Sequence, residues 1–432
     1  MYKLEFTLKQ HTPLIHFQHD QEGATLRATE VKPKLDKYII KKYGGEDNVK
    51  NVHADWFIVD GENNALDYKI RIISVSQPIS KPILYTPTKD GKFKPNFPCI
   101  FGNVQESEKK VFRICKEQKL EIIVLNKSLR ETIELEIANF FFNDSFGFRQ
   151  SKGFGSYFID DFHANLISKY FYFTSDRKPD DYENLFLEID LFYRCLKSGL
   201  NIKTKNRDGV MIDKLYFKSL MFKFAKNQNP KEQWDKRTIR HALYLDDWSY
   251  KNDKQHSGVF YNRTDANGTV QFKTLKPDNR NYYDFRDLLG LSTEQDWLFY
   301  RDKKITKTVR KTMLTNGNKE FIDIERFQSP IRFKPYYSFK DKLWYVFVLT
   351  SEIPDLYSGA SVNTMNSSKS VELTIFPSFN VDDFIEFAIN NFNKDDIEYG
   401  DGYNENKIPE AMILIDIFSQ LKNQITSKDG NK

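Results

Sequence analysis

The chain has 432 residues, of which 40% are hydrophobic and 15% aromatic, enough for two domains of ordinary size with packed cores. Lys and Arg total 65 against 60 acidic residues, and the net charge of +5 is too small to identify a polyanionic partner by itself. The N-terminus alternates like a strand, and no apolar run reaches about 18 residues, so we expect neither a signal peptide nor a membrane span. Three cysteines without metal-like spacing, Cys99, Cys115 and Cys195, predict a reducing, intracellular setting. We expect a cytoplasmic protein with no metal site and no cofactor.

The first 160 residues predict alternating strands and helices. A helix is expected from near Thr29, with Pro33 in its first turn, and a second helix opens at a capping box formed by Ser128 and Glu131. Strands are predicted at 2–8, 66–75, 119–125 and 156–159, and an irregular insertion or long hairpin at 77–103. This order of strand, helix, strand, strand, helix and strand is typical of a ferredoxin-like domain, a class that includes the RNA-recognition fold.

The second half predicts a helical block followed by strands. We interpret 1–165 as an N-terminal ferredoxin-like domain and 166–432 as a C-terminal α+β domain. Polar segments, at 250–281 and 301–320, are expected to be loops. The predicted helices are 180–198, 213–227, 231–244, 380–392 and 408–426, and the predicted strands are 320–336, 342–350 and 371–376.

The segment 145–156, here called the glycine-rich loop, carries the most informative pattern. Gly147, Gly153 and Gly155 permit backbone torsions and close approaches that a side chain would forbid. Arg149 and Lys152 add positive charge between them, and aromatic residues flank the run. Such a loop suits a clamp on the backbone of single-stranded RNA. The alternative is a hairpin whose glycines only satisfy turn geometry and whose cations are solvated.

Three further segments combine cations with apolar residues. Arg27, Lys32 and Lys34 stand at the start of a predicted helix, where backbone amides attract phosphate. Arg326, Arg332 and Lys334 alternate with apolar residues, so they are predicted to share one strand face. A basic stripe at helical spacing includes Lys236, Arg237, Arg240 and His241. Each of these segments also has an ordinary interpretation as a solvated or half-buried surface.

Catalytic patterns are weaker. His11, His16 and His19 are close in sequence, but no cysteine or carboxylate pattern accompanies them. His16 as a general base, or Asp20 as an assisting carboxylate, remains an alternative for RNA cleavage. We therefore predict no catalytic and no metal-binding residues.

These segments together resemble the RAMP superfamily of CRISPR-associated proteins. The resemblance rests on a first strand that leads to His11–Ile15, on the small and basic stretch Ala24–Leu35, and on Gly147–Ser156, which fits the superfamily's glycine-rich loop closely. Arg326–Pro335 and Asp284–Leu291 are most similar to the branch that forms the first Cmr subunit of type III-B effector complexes. One departure is the replacement of the usual glycine after Thr-Pro-Leu by residues 16–20.

The resemblance implies an α+β protein of tandem ferredoxin-like (RRM-like) domains with helical insertions. It also implies a non-catalytic subunit that binds the 3′ part of the guide RNA (crRNA), or its duplex with target RNA, beside other CRISPR effector subunits and away from membranes. The alternative within the superfamily is an endoribonuclease that processes CRISPR precursor RNA or cuts target RNA; precursor-processing members usually carry this loop near the C-terminus. A scaffold whose basic segments only confer solubility is a third possibility. The expected RNA-binding residues are Arg27, Lys32, Lys34, Gly147, Arg149, Gln150, Ser151, Lys152, Gly153, Phe154, Gly155, Arg237, Arg240, Arg326 and Lys334.

Overall fold

The computed structural model is a mixed α/β protein with several small sheets. It describes residues 1–16, 25–58, 65–100, 102, 104–159, 168–205, 209–228, 239, 243, 261–264, 270–272, 282–291, 293–296, 304–315, 318–365 and 370–429. Within these residues the helices are α1 (Ala28–Lys42), α2 (Glu46–Val52), α3 (Lys127–Asn143), α4 (Tyr182–Lys197), α5 (Leu220–Gln228), α6 (Val381–Asn391) and α7 (Pro409–Asp429).

The strands are mostly short. They are β1 (Tyr2–Gln10), β2 (Tyr68–Ser74), β3 (Ile79–Pro82), β4 (Tyr85–Pro87), β5 (Phe93–Pro95), β6 (Val111–Ile114), β7 (Glu117–Val124), β8 (Tyr157–Ile159), β9 (Phe171–Ser175), β10 (Leu200–Lys205), β11 (Met211–Phe217), β12 (Tyr261–Thr264), β13 (Val270–Phe272), β14 (Tyr283–Asp284), β15 (Glu294–Asp296), β16 (Lys304–Thr315), β17 (Asn318–Ile324), β18 (Ile331–Ser338), β19 (Leu343–Thr350), β20 (Ser361–Met365), β21 (Ser370–Ile375) and β22 (Glu398–Tyr399).

The chain forms two compact units. The first unit contains residues 1–193, 331–349 and 405–432, and the second contains 194–330 and 350–404. Each unit is therefore assembled from segments that are distant in sequence. This grouping is a different one from the domains 1–165 and 166–432, which stay a prediction.

The first sheet lies in the first unit and has the antiparallel order β2–β7–β1–β8. With α1 after β1 and α3 after β7, its connectivity is strand, helix, strand, strand, helix, strand. Leu4 and Leu8 of β1 point to the helices and pack with Val31 and Leu35 of α1 and Ile133 of α3. Apolar residues at alternate positions of the strand thus pack against apolar residues at helical spacing, and this contact forms the core between the sheet and its helices.

A second sheet in the first unit repeats most of that pattern. Its order is β18–β19–β9, with α4 following β9 and α7 following β19 along the chain. No fourth strand joins this sheet within the residues that the structure describes. The tandem ferredoxin-like arrangement therefore stays a prediction.

Several predicted elements need correction. The N-cap of α3 is Asn126, whose side chain accepts the N–H of Leu129 at 3.0 Å; Ser128 accepts the indole N–H of Trp56 instead of capping. Pro33 lies in the second turn of α1, not the first. The predicted helix 213–227 is strand β11 followed by α5, and the predicted loop 301–320 contains the long strand β16.

Both strands bury some alternate residues, but their inward positions do not form a plain apolar alternation. On β11 the buried residues are Leu215 and Phe217, and Phe217 continues into the helical spacing of Leu220 and Phe224. On β16 the buried positions Ile305, Lys307 and Val309 include a lysine, and farther along Thr312 and its partner Phe321 on β17 are both exposed. The apolar alternation by which a strand is recognised is therefore missing or obscured. The predicted helix 231–244 lies outside the described residues apart from 239 and 243.

Candidate nucleic-acid interface

The glycine-rich loop follows α3 and packs onto the segment 11–15. The N–H of His11 donates to Ser156 O at 2.9 Å, and that of Phe148 donates to Ile15 O at 2.7 Å. Thr12 Oγ1 donates to Gly153 O at 2.6 Å and accepts the N–H of Ser156 at 2.9 Å. The Thr-Pro-Leu segment and the loop are thus two halves of one hydrogen-bonded unit, which explains why both carry unusual sequences.

Two glycines are required by close backbone approaches. A Cβ on Gly155 would lie 2.0 Å from Phe146 O, and one on Gly147 would lie 2.5 Å from Ile15 O. Their φ angles, +62° and +77°, belong to the left-handed region that favours glycine. Arg149 also has a positive φ, 58°, so the chain reverses sharply at that residue.

Much of the loop is scaffold. The Phe154 ring is fully buried and stacks on Phe186 with centroids 3.9 Å apart. Lys152 is buried with its ammonium over the Tyr193 ring. Gly153 and Gly155 are buried as well. Direct contact with RNA would require these residues to leave the core, so we interpret them as supports for the loop.

The accessible part of the loop is its tip, defined here as Phe148, Arg149, Gln150 and Ser151, all of which are half-buried. The Arg149 guanidinium lies 5.0 Å from the Phe148 ring centroid, and burial lowers its pKa. A cation beside a partly exposed ring can contact a phosphate and a base at once. The part of the loop that a ligand can reach is therefore limited to these four residues.

Three cations bind consecutive backbone carbonyls where α3 ends; we call Lys34, Arg332 and Lys334 the cation cluster. Arg332 Nη1 donates to Asn143 O at 2.6 Å, Lys334 Nζ to Asp144 O at 2.7 Å, and Lys34 Nζ to Ser145 O at 2.7 Å. The last carbonyls of a helix have no partner within it and carry the negative end of its dipole. The cluster therefore fixes the point from which the loop departs.

Burial separates the members of this cluster. Lys334 is 1% exposed, and desolvation lowers its pKa well below the ordinary value. Lys34 and Arg332 are half-buried, and burial lowers the pKa of Lys34 as well. Lys34 also donates to Gln150 Oε1 of the loop tip at 2.6 Å. An external anion can therefore reach Lys34 and Arg332, whereas Lys334 belongs to the scaffold.

The start of α1 adds two groups to this region. Arg27, Glu30 and Lys34 share one face of the helix by their spacing. Glu30 Oε1 accepts the N–H of Gly147 at 2.6 Å, which holds the loop against the helix. Arg27 is half-buried, and its Nη2 makes no hydrogen bond to a described residue. The sequence analysis did not identify Glu30 as a site residue, although its position four residues before Lys34 indicates a partner for that lysine.

Other predicted residues lie elsewhere. Lys32 is on another face of α1, where its ammonium binds Asp36 at 2.9 Å and Leu66 O at 2.8 Å. The predicted strand 320–336 is in fact two strands, because β17 ends at Ile324 and β18 begins at Ile331. Arg326 lies between them and is exposed. The prediction that Arg326 shares a strand face with Arg332 and Lys334 is therefore wrong. Arg237 and Arg240 lie outside the described residues.

The face of the first sheet opposite its helices is not built for base stacking. The four charged side chains Lys3, Glu5, Lys119 and Glu121 form ion pairs of 2.5–3.1 Å, and Lys3 and Lys119 lower the pKa of Glu5 to about 2. Along β1 and β7 no outward position carries an aromatic ring; these positions are Lys3, Glu5, Thr7, Lys9, Glu117, Lys119, Glu121 and Ile123. An RNA-recognition sheet stacks bases on aromatics of such strands, so this face is a poor candidate.

Asp284–Leu291 forms a buried ionic network in the second unit. Lys307 is fully buried and donates to Asp284 Oδ2 at 2.8 Å and to Asp287 Oδ2. Burial and the adjacent Asp284 carboxylate raise the pKa of Asp287 to about 6. Such a closed network offers no open position to a ligand.

The histidines give no support to cleavage. His11 is buried and its Nδ1 accepts the N–H of Tyr337 at 3.0 Å. His16 is buried too, and His19 and Asp20 lie outside the described residues. Among the residues that the structure describes, no group of His, Cys, Asp or Glu has metal-binding geometry. No helix in the same part of the chain is long and apolar enough to cross a membrane.

Comparisons with known proteins cover nearly the whole chain. Residues 1–200 match the family model of the Cmr1 N-terminal domain, and residues 216–409 match that of the Cmr1 C-terminal domain. Among solved structures, the chain is similar to the crystal structure of Cmr1 from Pyrococcus furiosus in its apo form, at 12% identity and a TM-score of 0.28, over 92% of this chain and 98% of that one. No curated protein sequence matches.

Proposed function

Because the chain belongs to the Cmr1 family and is therefore a subunit of a type III CRISPR effector complex, we propose that it binds RNA in that complex without cutting it. The proposed ligand is the 3′ part of the guide RNA or its duplex with target RNA. Its neighbours would be the other subunits of the complex.

The observation that supports this proposal is the juxtaposition of the loop tip with the accessible members of the cation cluster. Lys34 touches Gln150 of the tip and interacts electrostatically with Arg332, and Arg149 stands at the reversal of the loop. Glu30 and Asp144 partly offset the positive charge around Lys34. A few half-buried cations beside a backbone turn suit a sugar–phosphate chain.

RNA binding across a salt series tests the proposal. The variants are Lys34→Met and Arg149→Asn, the second chosen because asparagine tolerates a positive φ. Each lost phosphate contact should lower the slope of log affinity against log salt by about 0.7 for a single strand. The control is Lys127→Met, at the opposite end of α3 and exposed. Equal slopes for all three variants and the wild type would contradict the proposal.

Incubation with repeat RNA and target RNA, with and without EDTA, separates binding from cleavage. We expect no specific products, since the buried His16 cannot reach a 2′-hydroxyl without rearrangement. Specific cleavage that His16→Ala abolishes would establish the endoribonuclease instead. Failure of the purified chain to bind RNA at any salt concentration would favour a scaffold.

A further inference from the structure

Strand β9 lies at the edge of the second sheet, and its free edge is occupied by two glutamine side chains. Tyr172 and Thr174 turn their N–H and C=O groups away from β19. The N–H of Thr174 donates to Gln420 Oε1 at 2.7 Å, and Gln420 Nε2 donates back to Thr174 O at 3.2 Å. In the same way, the N–H of Tyr172 donates to Gln424 Oε1 at 3.2 Å, and Gln424 Nε2 donates back to Tyr172 O at 2.6 Å.

The two amides reproduce the hydrogen bonds of a neighbouring strand. Two residues along a strand advance about 6.6 Å, and four residues along a helix advance about 6 Å. Glutamines four apart on α7 therefore stay in register with alternate residues of β9. Asp416 fixes one of them, because its Oδ2 accepts from Gln420 Nε2 at 2.7 Å.

If its edge were uncovered, β9 would be prone to pair with a strand of another chain. The segment Tyr170–Ser175 contains four aromatic residues and no charge, proline or glycine. An uncharged, β-prone segment at a sheet edge is a template for pairing with another chain. Antiparallel pairing with the same segment of a second copy would satisfy both edges through a twofold axis.

We propose that Gln420 and Gln424 close the edge of β9 against strand pairing with a second copy of this chain. The two side chains stand in the position of a fourth strand. The proposal does not depend on RNA binding.

The test is the double variant Gln420→Met and Gln424→Met, since methionine keeps the length and helix propensity of glutamine but not its hydrogen bonds. Hydrogen exchange should quicken at the amides of Tyr172 and Thr174. Light scattering across a concentration series should then show a rise from monomer to dimer mass. The control, Asn423→Met, adds an exposed methionine to the same helix and should keep the wild-type mass.

A rescue identifies the surface involved. Adding Thr174→Lys to the double variant should restore the wild-type mass, because an edge lysine opposes strand addition. If circular dichroism shows that the double variant unfolds, the single variant Gln424→Met replaces it with the same readouts. A variant whose β9 amides exchange faster while its mass matches that of Asn423→Met at every concentration overturns the proposal. Self-association that Thr174→Lys leaves unchanged overturns it too.

Discussion

Glu30 has two opposing effects on the proposed RNA site, and substitutions can separate them. Its carboxylate holds the loop by accepting the buried N–H of Gly147 at 2.6 Å, and it also places a negative charge near Lys34. Glu30→Gln keeps an oxygen for Gly147 and removes the charge. Glu30→Ala removes both. We expect the first variant to bind RNA more tightly than the wild type and the second to bind more weakly.

The magnitudes follow from the contacts. For a phosphate bound at a separation of about 8 Å, removing the charge in water-like surroundings is worth about 0.5 kcal/mol, or about a two- to threefold gain in affinity at low salt. Leaving the Gly147 N–H buried without an acceptor costs about 1–3 kcal/mol. That cost falls on the loop that carries Arg149, so in Glu30→Ala it outweighs the gain from the lost charge.

Fluorescence anisotropy with labelled single-stranded RNA at low and high salt measures both effects. The gain in Glu30→Gln should shrink as salt rises, because screening weakens an interaction across water. Glu131→Gln is the control, since Glu131 is exposed near the start of α3, at the end away from the loop. Equal gains in Glu30→Gln and Glu131→Gln would refute the local effect. A gain in Glu30→Ala as large as that in Glu30→Gln would refute the role of the tether.

Three further outcomes are expected. Gly155→Ala should destabilise the first unit by about 3 kcal/mol or more, because its Cβ meets Phe146 O at 2.0 Å; an unchanged melting curve would contradict this. Lys32→Met should leave RNA affinity unchanged, since its ammonium is engaged by Asp36 and Leu66 O; a loss equal to that of Lys34→Met would show otherwise. In the folded chain the pKa of Asp287 is raised to about 6, whereas in the unfolded chain an aspartate has a pKa of about 4. Between these two pH values the folded state holds a proton that the unfolded state has released. The contribution of Asp287 to stability therefore falls as the pH rises through this range. The melting difference between Asp287→Asn and the wild type should therefore move in favour of the variant from pH 4 to 7, and a constant difference would count against it.

The first sheet could be predicted because its residues meet a core. Leu4 and Leu8 alternate on β1, Val31 and Leu35 repeat at helical spacing on α1, and those periods identify the elements. Strands β11 and β16 could not be recognised in this way, because one of the buried positions of β16 is Lys307, and Phe217 of β11 continues into the helical spacing of Leu220 and Phe224. The N-cap of α3 was misplaced because Ser128 and Asn126 both suit a cap, and only the packing of Trp56 on Ser128 decides between them.

The candidate site was predicted in part. Three glycines and an arginine within nine residues form an unusual pattern, and this pattern predicts a loop with close backbone contacts. The sequence does not show which of the cations are buried. Lys152 and Lys334 have the sequence context of surface cations, yet Lys152 lies over the Tyr193 ring and Lys334 donates to the carbonyl of Asp144. Such partners come from segments more than a hundred residues away or from another element, so composition and spacing do not reveal them.

Photo-cross-linking with thiouridine-substituted guide RNA, followed by peptide mapping, tests most directly whether RNA lies on the loop tip. Cross-links should map to Phe148–Ser151 and to the first two turns of α1, and the Lys34→Met variant should lose them. Cross-links confined to β1 and β7, on the side of Lys3 and Lys119, would contradict this location and would return the RNA to the open face of the sheet.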